Sequence, residues 1–204
     1  MKNLKYIVPL FFLLIFFPLY AESVFLKAIL SGAAYYPEYP DYDFDRPVLG
    51  GNIKAEIFNI ATDFGVGGNV FYNINSYDEH FQNLRRYDAY LHNFANYRKD
   101  KSYFLYGFFA GIRYTELEYT NRKTKIDREL SMTRPLIGFH HSTEKWGISL
   151  SWTQADNHKP ILNYELKFRS SNVLVFQIGR SNRGPLSDVG SELHIYVGYE
   201  FFID

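Results

Sequence analysis

The chain contains no cysteine, which excludes a disulfide framework, thiolate chemistry and a lipidated N-terminal cysteine as an anchor. It also lacks an excess of either charge, with 22 basic and 22 acidic side chains. Nothing in that balance favours a nucleic-acid partner, which would call for a basic surface. After residue 20 there is no further long apolar run. If the chain lies in a membrane, it must do so as a closed β-barrel, because lipid offers no hydrogen-bond partners and every backbone polar group must be paired within the protein.

Residues 1–21 have the pattern of a secretory signal peptide. Two lysines precede an uncharged apolar run from Ile7 to Tyr20, and Ala21 is small enough to mark a cleavage position. The run is short for a permanent membrane anchor, which needs ~20 apolar residues. We therefore expect a cleavable signal peptide over 1–21 and a single domain over 22–204.

Aromatic residues are abundant, at 19% of the chain, and they crowd with glycine into short alternating segments that are typical of β-strands. The clearest segment is the last one. Successive side chains of a strand point to opposite sides, so this segment has one apolar and one polar face. The apolar face consists of Leu193, Ile195, Val197, Tyr199 and Phe201, and the other of Glu192, His194, Tyr196, Gly198 and Glu200. We predict that the apolar face meets lipid and the polar face a barrel lumen.

Similar alternation recurs from Val24 onward and predicts an all-β, antiparallel up-and-down transmembrane barrel of about ten strands. The segment Leu84–Tyr97 is ambiguous, because it fits both strand alternation and helical spacing. If it is not a strand, eight strands are the fallback, since bacterial barrels have even counts.

The breaks between segments differ in length in an alternating way. The short ones are 61–63, 98–101, 142–145 and 170–171, and the long ones are 35–49, 75–83, 119–128, 154–160 and 181–189. Such a pattern indicates short turns on the periplasmic side and long loops on the outside of a double-membraned bacterium. Aromatic residues near strand ends fit the interfacial girdles of such barrels, namely Tyr103, Tyr114, Tyr119, Trp146, Trp152 and Tyr199.

A barrel of this size has an interior filled by side chains. We expect the charged residues of the polar faces to pair across the lumen and plug it, because unpaired buried charge is costly. They are Lys27, Lys54, Glu56, Arg113, Glu165, Lys167, Glu192 and Glu200. A narrow polar conduit for small solutes is an alternative that the pattern leaves open.

The histidines do not predict a metal centre. His140–His141 would need further ligands from other strands, and His80, His92 and His158 are expected to be solvated. We predict neither a metal nor another cofactor.

The stretch from Ile178 to Gly184, followed by Val189–Gly190 and Glu192, resembles the end of the lipid A 3-O-deacylase family of outer-membrane barrels. The resemblance covers roughly the last 30 residues. It implies Ser181 as the nucleophile, Asn182 near the oxyanion and Glu192 as the residue that orients the base.

Gly179 stands at the position of the family's histidine, so His194 is the other candidate for the base. If Ser181 pairs with Gly190, then Gly179 opposes Glu192. Gln177 would then oppose His194, which would lie about two residues down the barrel, or ~7 Å at strand rise, too far for a direct hydrogen bond.

Two functions are therefore open. The chain is either a barrel with a structural or surface-interaction role, or a deacylase-like hydrolase that uses Ser181. Exposed aromatic loops commonly serve recognition, so the Tyr-, Pro- and Asp-rich loop 35–49 is the expected contact for an extracellular ligand. The expected surroundings are outer-membrane lipids, including lipopolysaccharide, and we expect a monomer.

Overall fold

The computed structural model describes residues 24–37, 48–59, 63–77, 80–93, 95–99, 102–122, 125–143, 145–170, 173–185 and 191–203. The predicted signal peptide lies outside these residues. No helix within the described ranges is long and apolar enough to cross a membrane. The strands are β1 Val24–Pro37, β2 Val48–Asn59, β3 Phe64–Tyr77, β4 His80–Asn93, β5 Ala95–Lys99, β6 Ser102–Asn121, β7 Ile126–Ser142, β8 Trp146–Gln154, β9 Pro160–Arg169, β10 Leu174–Ser181 and β11 Glu192–Ile203.

The strands close into one antiparallel barrel, in which β1 pairs with β11 as well as with β2. Strands β4 and β5 both pair with β6 in a single register, with His92 opposite Phe109 and Ala95 opposite Tyr106. They therefore share one position in the wall, and the barrel has ten positions. The prediction of a ten-stranded all-β barrel is confirmed, and the helical alternative for Leu84–Tyr97 is wrong.

The faces of β11 lie as predicted. Glu192, His194 and Glu200 are buried inside the barrel, whereas Val197 and Tyr199 are 46% and 53% exposed on its outside. Alternation alone does not say which face is inside, because a soluble barrel alternates as well. Closure of the sheet settles the point, and the apolar face is the outer one.

An apolar belt surrounds the outside of the barrel without a gap. Each of the ten wall positions contributes at least one large hydrophobic side chain that is exposed. Examples are Leu30 on β1, Ile53 on β2, Val70 on β3, Leu91 on β4, Ile112 on β6, Ile137 on β7, Leu150 on β8, Leu166 on β9, Ile178 on β10 and Val197 on β11. We refer to this outer surface as the belt.

Several strands continue beyond the belt, at the end of the barrel where β1 ends and β2 begins. We call that end the loop side and the opposite end the terminus side. Residues 80–86 of β4, 115–121 of β6 and 126–133 of β7 form what we call the extension. The expected long loops 75–83 and 119–128 are largely wrong, because most of their residues belong to these strands and to β3.

The predicted loop 35–49 needs a similar correction. Tyr35 and Tyr36 belong to β1, and Val48 and Leu49 belong to β2. The residues between the two strands, 38–47, lie outside the described residues. Tyr35 is fully buried in the lumen, so this tyrosine is not part of an outer contact surface.

In the extension the two faces exchange character. On β6 the outward side chains change from Phe108 and Ile112 to Glu116 and Glu118. Three inward side chains of the extension, Leu84, Leu117 and Tyr119, are apolar. They belong to a loop-side cluster that also contains Ala33, Tyr35, Val48, Phe71 and Tyr196. Tyr119, which was expected in an interfacial girdle, is a buried member of this cluster.

Candidate functional site

Glu192 is the centre of the loop-side lumen. Its carboxylate is 1% exposed and accepts hydrogen bonds at both oxygens from Nη2 of Arg86, at 2.8 and 2.7 Å. The Tyr35 hydroxyl donates to the same carboxylate. Arg86 projects inward from β4 and reaches β11 across the lumen. Two buried charges that are paired and hydrogen-bonded in this way avoid the cost of isolated burial.

A second ion pair lies in the middle of the lumen. Arg113 and Asp88 are cross-strand partners on β6 and β4. The guanidinium binds the carboxylate through two bonds, Nε to Oδ1 at 2.7 Å and Nη2 to Oδ2 at 2.8 Å. Nearby Glu165 accepts a bond of 2.6 Å from the Gln177 side-chain amide.

Glu56 anchors the first half of a charge network on the terminus side. Nζ of Lys27 lies 2.9 Å from one carboxylate oxygen, and Nζ of Lys54 lies 3.0 Å from the other. The Tyr90 hydroxyl donates to the latter oxygen at 2.8 Å. Glu56 is 3% exposed, so these three donors replace the water that it loses.

Glu200 anchors the other half and is completely buried. Lys167 binds one of its oxygens at 3.0 Å, and Lys27 lies 3.5 Å from the same oxygen. Arg169 binds the second oxygen through Nε at 2.8 Å and also through Nη2. Because Lys27 contacts both glutamates, the two halves form one continuous network.

Sequence patterning missed three members of these networks, which are Arg86, Asp88 and Arg169. Arg86 follows another arginine within the segment whose structure was ambiguous, so its side of the strand could not be assigned. Arg169 stands beside the turn after β9. Continuing the alternation of β9 from Glu165 through Lys167 would have placed Arg169 inside.

The hairpin of β10 and β11 has a different register from the one considered above. Ser181 lies opposite Glu192, and Gly179 lies opposite His194. Pairing of Ser181 with Gly190 is therefore wrong, by two residues. A two-residue shift keeps the face, so Ser181, Glu192 and His194 all point into the lumen.

The Ser181 hydroxyl does not meet a base. It donates to Oδ1 of Asn163 at 2.5 Å. Nε2 of His194 lies 3.7 Å from a Glu192 oxygen, and its ring stacks on Tyr196. Within the described residues, no hydrogen bond joins Ser181 to His194 or to Glu192.

Asn182 lies outside the lumen. Its backbone N–H donates to the carbonyl oxygen of Leu162 at 3.0 Å, and its side-chain oxygen accepts from the Leu162 N–H at 2.7 Å. Asn182 thus extends the pairing of β10 with β9, and its amide is committed to the backbone. At Gly179, an added Cβ would lie 2.8 Å from Cγ of Glu165, so a histidine at this position would displace that glutamate. The hydrolase hypothesis stays a prediction.

His92 lies on β4, inside the barrel, and the expectation that it is solvated is wrong. It is 1% exposed, and its ring packs 4.8 Å from the ring of Phe58 and 5.8 Å from that of His140. Among the described residues, no group of three or more His, Cys, Asp or Glu side chains could hold a metal ion.

Two small cavities lie in the lumen, with volumes of ≈ 10 and ≈ 30 Å³. One buried water needs about 10–15 Å³, so the smaller holds about one water and the larger roughly two. Arg86, Arg113 and Asn163 line both cavities, so the two adjoin. Neither has room for a sugar or an acyl chain.

No protein-family model and no curated protein matches the chain. Among solved structures, the attachment invasion locus protein Ail of Yersinia pestis, in complex with the heparin analogue sucrose octasulfate, is similar at 14% identity and a TM-score of 0.44, over 88% of this chain and 99% of Ail. The N-terminal β-barrel domain of Pseudomonas aeruginosa OprF is similar at 15% identity and a TM-score of 0.43, over 86% and 97% of the two chains. Neisserial surface protein A is similar at 8% identity and a TM-score of 0.41, over 88% of this chain and 96% of that protein. The similarity is loose and concerns the backbone path alone.

Proposed function

We propose that this chain is an integral outer-membrane β-barrel with a structural or surface-interaction role, and that paired charges plug its lumen. The observation that carries the proposal is the belt, to which all ten wall positions contribute exposed apolar side chains. Soluble monomers rarely expose contiguous apolar patches above a few hundred Å². A docking face for one protein partner would occupy one side of the barrel, whereas a bilayer requires apolar surface all round.

Strand lengths support the same proposal. A strand crosses the bilayer with about 9–11 residues. Strands β8 and β9 have 9 and 10 residues, whereas β6 and β7 have 20 and 17. The surplus of β6 and β7 is the extension, whose outer face carries Glu116 and Glu118. We assign the surface-interaction role to this water-facing part and to the loops beside it, and residues 38–47 remain the proposed contact for an extracellular ligand.

Labelling of single cysteines tests the proposal cleanly, because the natural chain has none. In whole cells, a membrane-impermeant maleimide should label Glu118→Cys in the extension. Asp63→Cys, in the turn on the terminus side, should be labelled only after the outer membrane is opened. Ile112→Cys in the belt should resist the reagent in both states. The proposal fails if the folded protein is soluble without detergent and Ile112→Cys reacts as fast as Glu118→Cys.

A lipid A deacylase-like hydrolase is our second proposal, supported by the position of Ser181 directly opposite Glu192 in the β10–β11 hairpin. Its test is mass analysis of lipid A from cells with the wild-type chain, with Ser181→Ala and without the chain. Loss of an acyl chain that depends on Ser181 would support the hydrolase. An identical acyl pattern in all three would end it.

A further inference from the structure

Four arginines line the smaller cavity, which lies where β8 ends, β9 begins and β10 ends. The residues are Arg86, Arg113, Arg134 and Arg183, and the one carboxylate in the lining is that of Glu192. Cations therefore outnumber the carboxylate four to one at this point. The cavity lies near the loop-side ends of these three strands.

The arginines differ in their partners. Arg86 is paired with Glu192, and Arg113 is paired with Asp88. Within the described residues, Arg134 takes part in no ion pair. Its Nη2 donates to the backbone carbonyl oxygen of Asp156 at 3.1 Å, and its Nε is buried without a hydrogen-bond partner. The half-buried guanidinium thus has one backbone acceptor, but among the residues that the structure describes it has no counter-charge to compensate its desolvation and its Nε has no acceptor.

The larger cavity continues this polar space toward the middle of the lumen. It adds Arg180 and Glu165 to the lining, together with His194 and Asn69. Nδ1 of His194 and Oδ1 of Asn69 are buried there without a hydrogen-bond partner in the described part of the chain. Waters in this space would satisfy these atoms and would link a ligand at the loop side to the interior.

We propose that the arginine-lined cavity binds an oxyanion, namely a phosphate or sulfate group. A planar guanidinium presents two parallel N–H donors that match two oxygens of such a group, which a monatomic anion does not offer. The cavity has room for about one water, so the group binds at its mouth, against Arg134 and Arg183. This inference goes beyond the proposed function, because it depends on the architecture of the lumen and not on what surrounds the belt.

Calorimetric titration of the folded chain in octyl glucoside with inorganic phosphate tests the proposal, with sodium chloride at equal ionic strength as the reference. We expect saturable binding of phosphate that chloride does not reproduce. Arg134→Gln should weaken it by about tenfold or more, because a charge-assisted hydrogen bond is lost. Arg134→Lys keeps the charge without the fork and should give an intermediate affinity.

Arg85→Gln is the matched control, since Arg85 is the same residue type on the outside of the same barrel and pairs with Glu116. It should bind phosphate as the wild type does. Heat-modifiable migration on gels shows whether each variant is folded. If Arg134→Gln does not fold, Arg134→Lys takes its place in the comparison with Arg85→Gln.

A second arm identifies the source of the group. The chain is placed in nanodiscs that contain lipid A with or without its phosphates, and inorganic phosphate is added as a competitor. If lipid A competes with inorganic phosphate only when it carries its own phosphates, the site binds a lipid headgroup. If inorganic phosphate binds equally well in both kinds of nanodisc, the site binds the soluble ion. The proposal is overturned if neither source binds saturably, or if Arg85→Gln weakens binding as much as Arg134→Gln.

Discussion

The belt and the extension are made by the same strands, yet their inner and outer faces have opposite character. On β6, Ile112 is 47% exposed in the belt and its neighbour Arg113 points into the lumen. A few residues further along, Leu117 is completely buried and Glu118 is exposed. The period of two is unbroken, and only the polarity assigned to each face changes.

The exchange occurs at the same height on neighbouring strands. Tyr87 lies opposite Tyr114 on the outside, and the next outward pair toward the loop side is Arg85 with Glu116. The two tyrosine rings are 6.0 Å apart on the outer surface. Tyrosine is typical of the boundary between lipid and water. The exchange therefore follows position along the barrel axis and not strand propensity, since the period of two continues through it.

The largest effect should come from Glu200→Gln, which removes the carboxylate shared by three buried cations. We expect a loss of about 3–5 kcal/mol in the free energy of unfolding, because Lys167 and Arg169 stay buried without their anion. Urea titration of the protein in lipid vesicles measures it. A loss below that of the surface variant Arg85→Gln would show that the terminus-side network does not support the belt region.

Leu117→Ala should affect the extension almost as strongly. The residue is fully buried in the loop-side cluster, and its truncation should cost about 2–5 kcal/mol through lost burial and a residual cavity. Hydrogen exchange should show the loss confined to the extension, with the amides of the belt still protected. Uniform exchange throughout β6 would instead indicate that both regions unfold as one unit.

Ile112→Arg places a charge on the lipid face of the belt and should cost about 2–4 kcal/mol at the middle of the bilayer. The matched change Glu118→Arg, on the same face of the same strand in the extension, should be close to neutral, since that position meets water. Comparison of the two variants in vesicles checks the exchange of faces directly. Equal costs would contradict it.

The smallest effect should come from Arg85→Gln on the outside of the extension. Arg85 and Glu116 are about equally exposed and lie 3.5 Å apart, so their pairing is screened by water and salt. We expect at most about 1 kcal/mol. Unfolding in low and high salt should converge for wild type and variant, and a salt-independent loss would speak against a purely surface pair.

The belt could be predicted from the sequence because the alternation from Glu192 to Phe201 is complete and no long apolar run follows residue 20. The extension could not, because its strands carry polar residues outside and only a few apolar ones inside. Residues such as Asn83 and Glu118 therefore look like loop residues until the barrel is closed. The polar segments that the sequence pattern predicts as long loops are consequently the ends of long strands.

The candidate site was predictable only in part. Alternation places Ser181 and Glu192 on strands, but the connection between them hides the register, which differs by two residues from the pairing first considered. The partner of Glu192 depends on how far the sheet is sheared before it closes. Arg86 therefore could not be matched to Glu192 from local sequence, although each lies on a polar face.

The hydrogen bond between Tyr35 and Glu192 joins residues 157 positions apart, on the first and last strands of the wall. The barrel is thus closed only by β11, the last strand of the chain. Every shorter chain leaves open sheet edges, and open edges pair readily with other molecules. Contacts at such separation also form late and slowly. We therefore expect a chain that stops before β11 to aggregate instead of forming a smaller barrel.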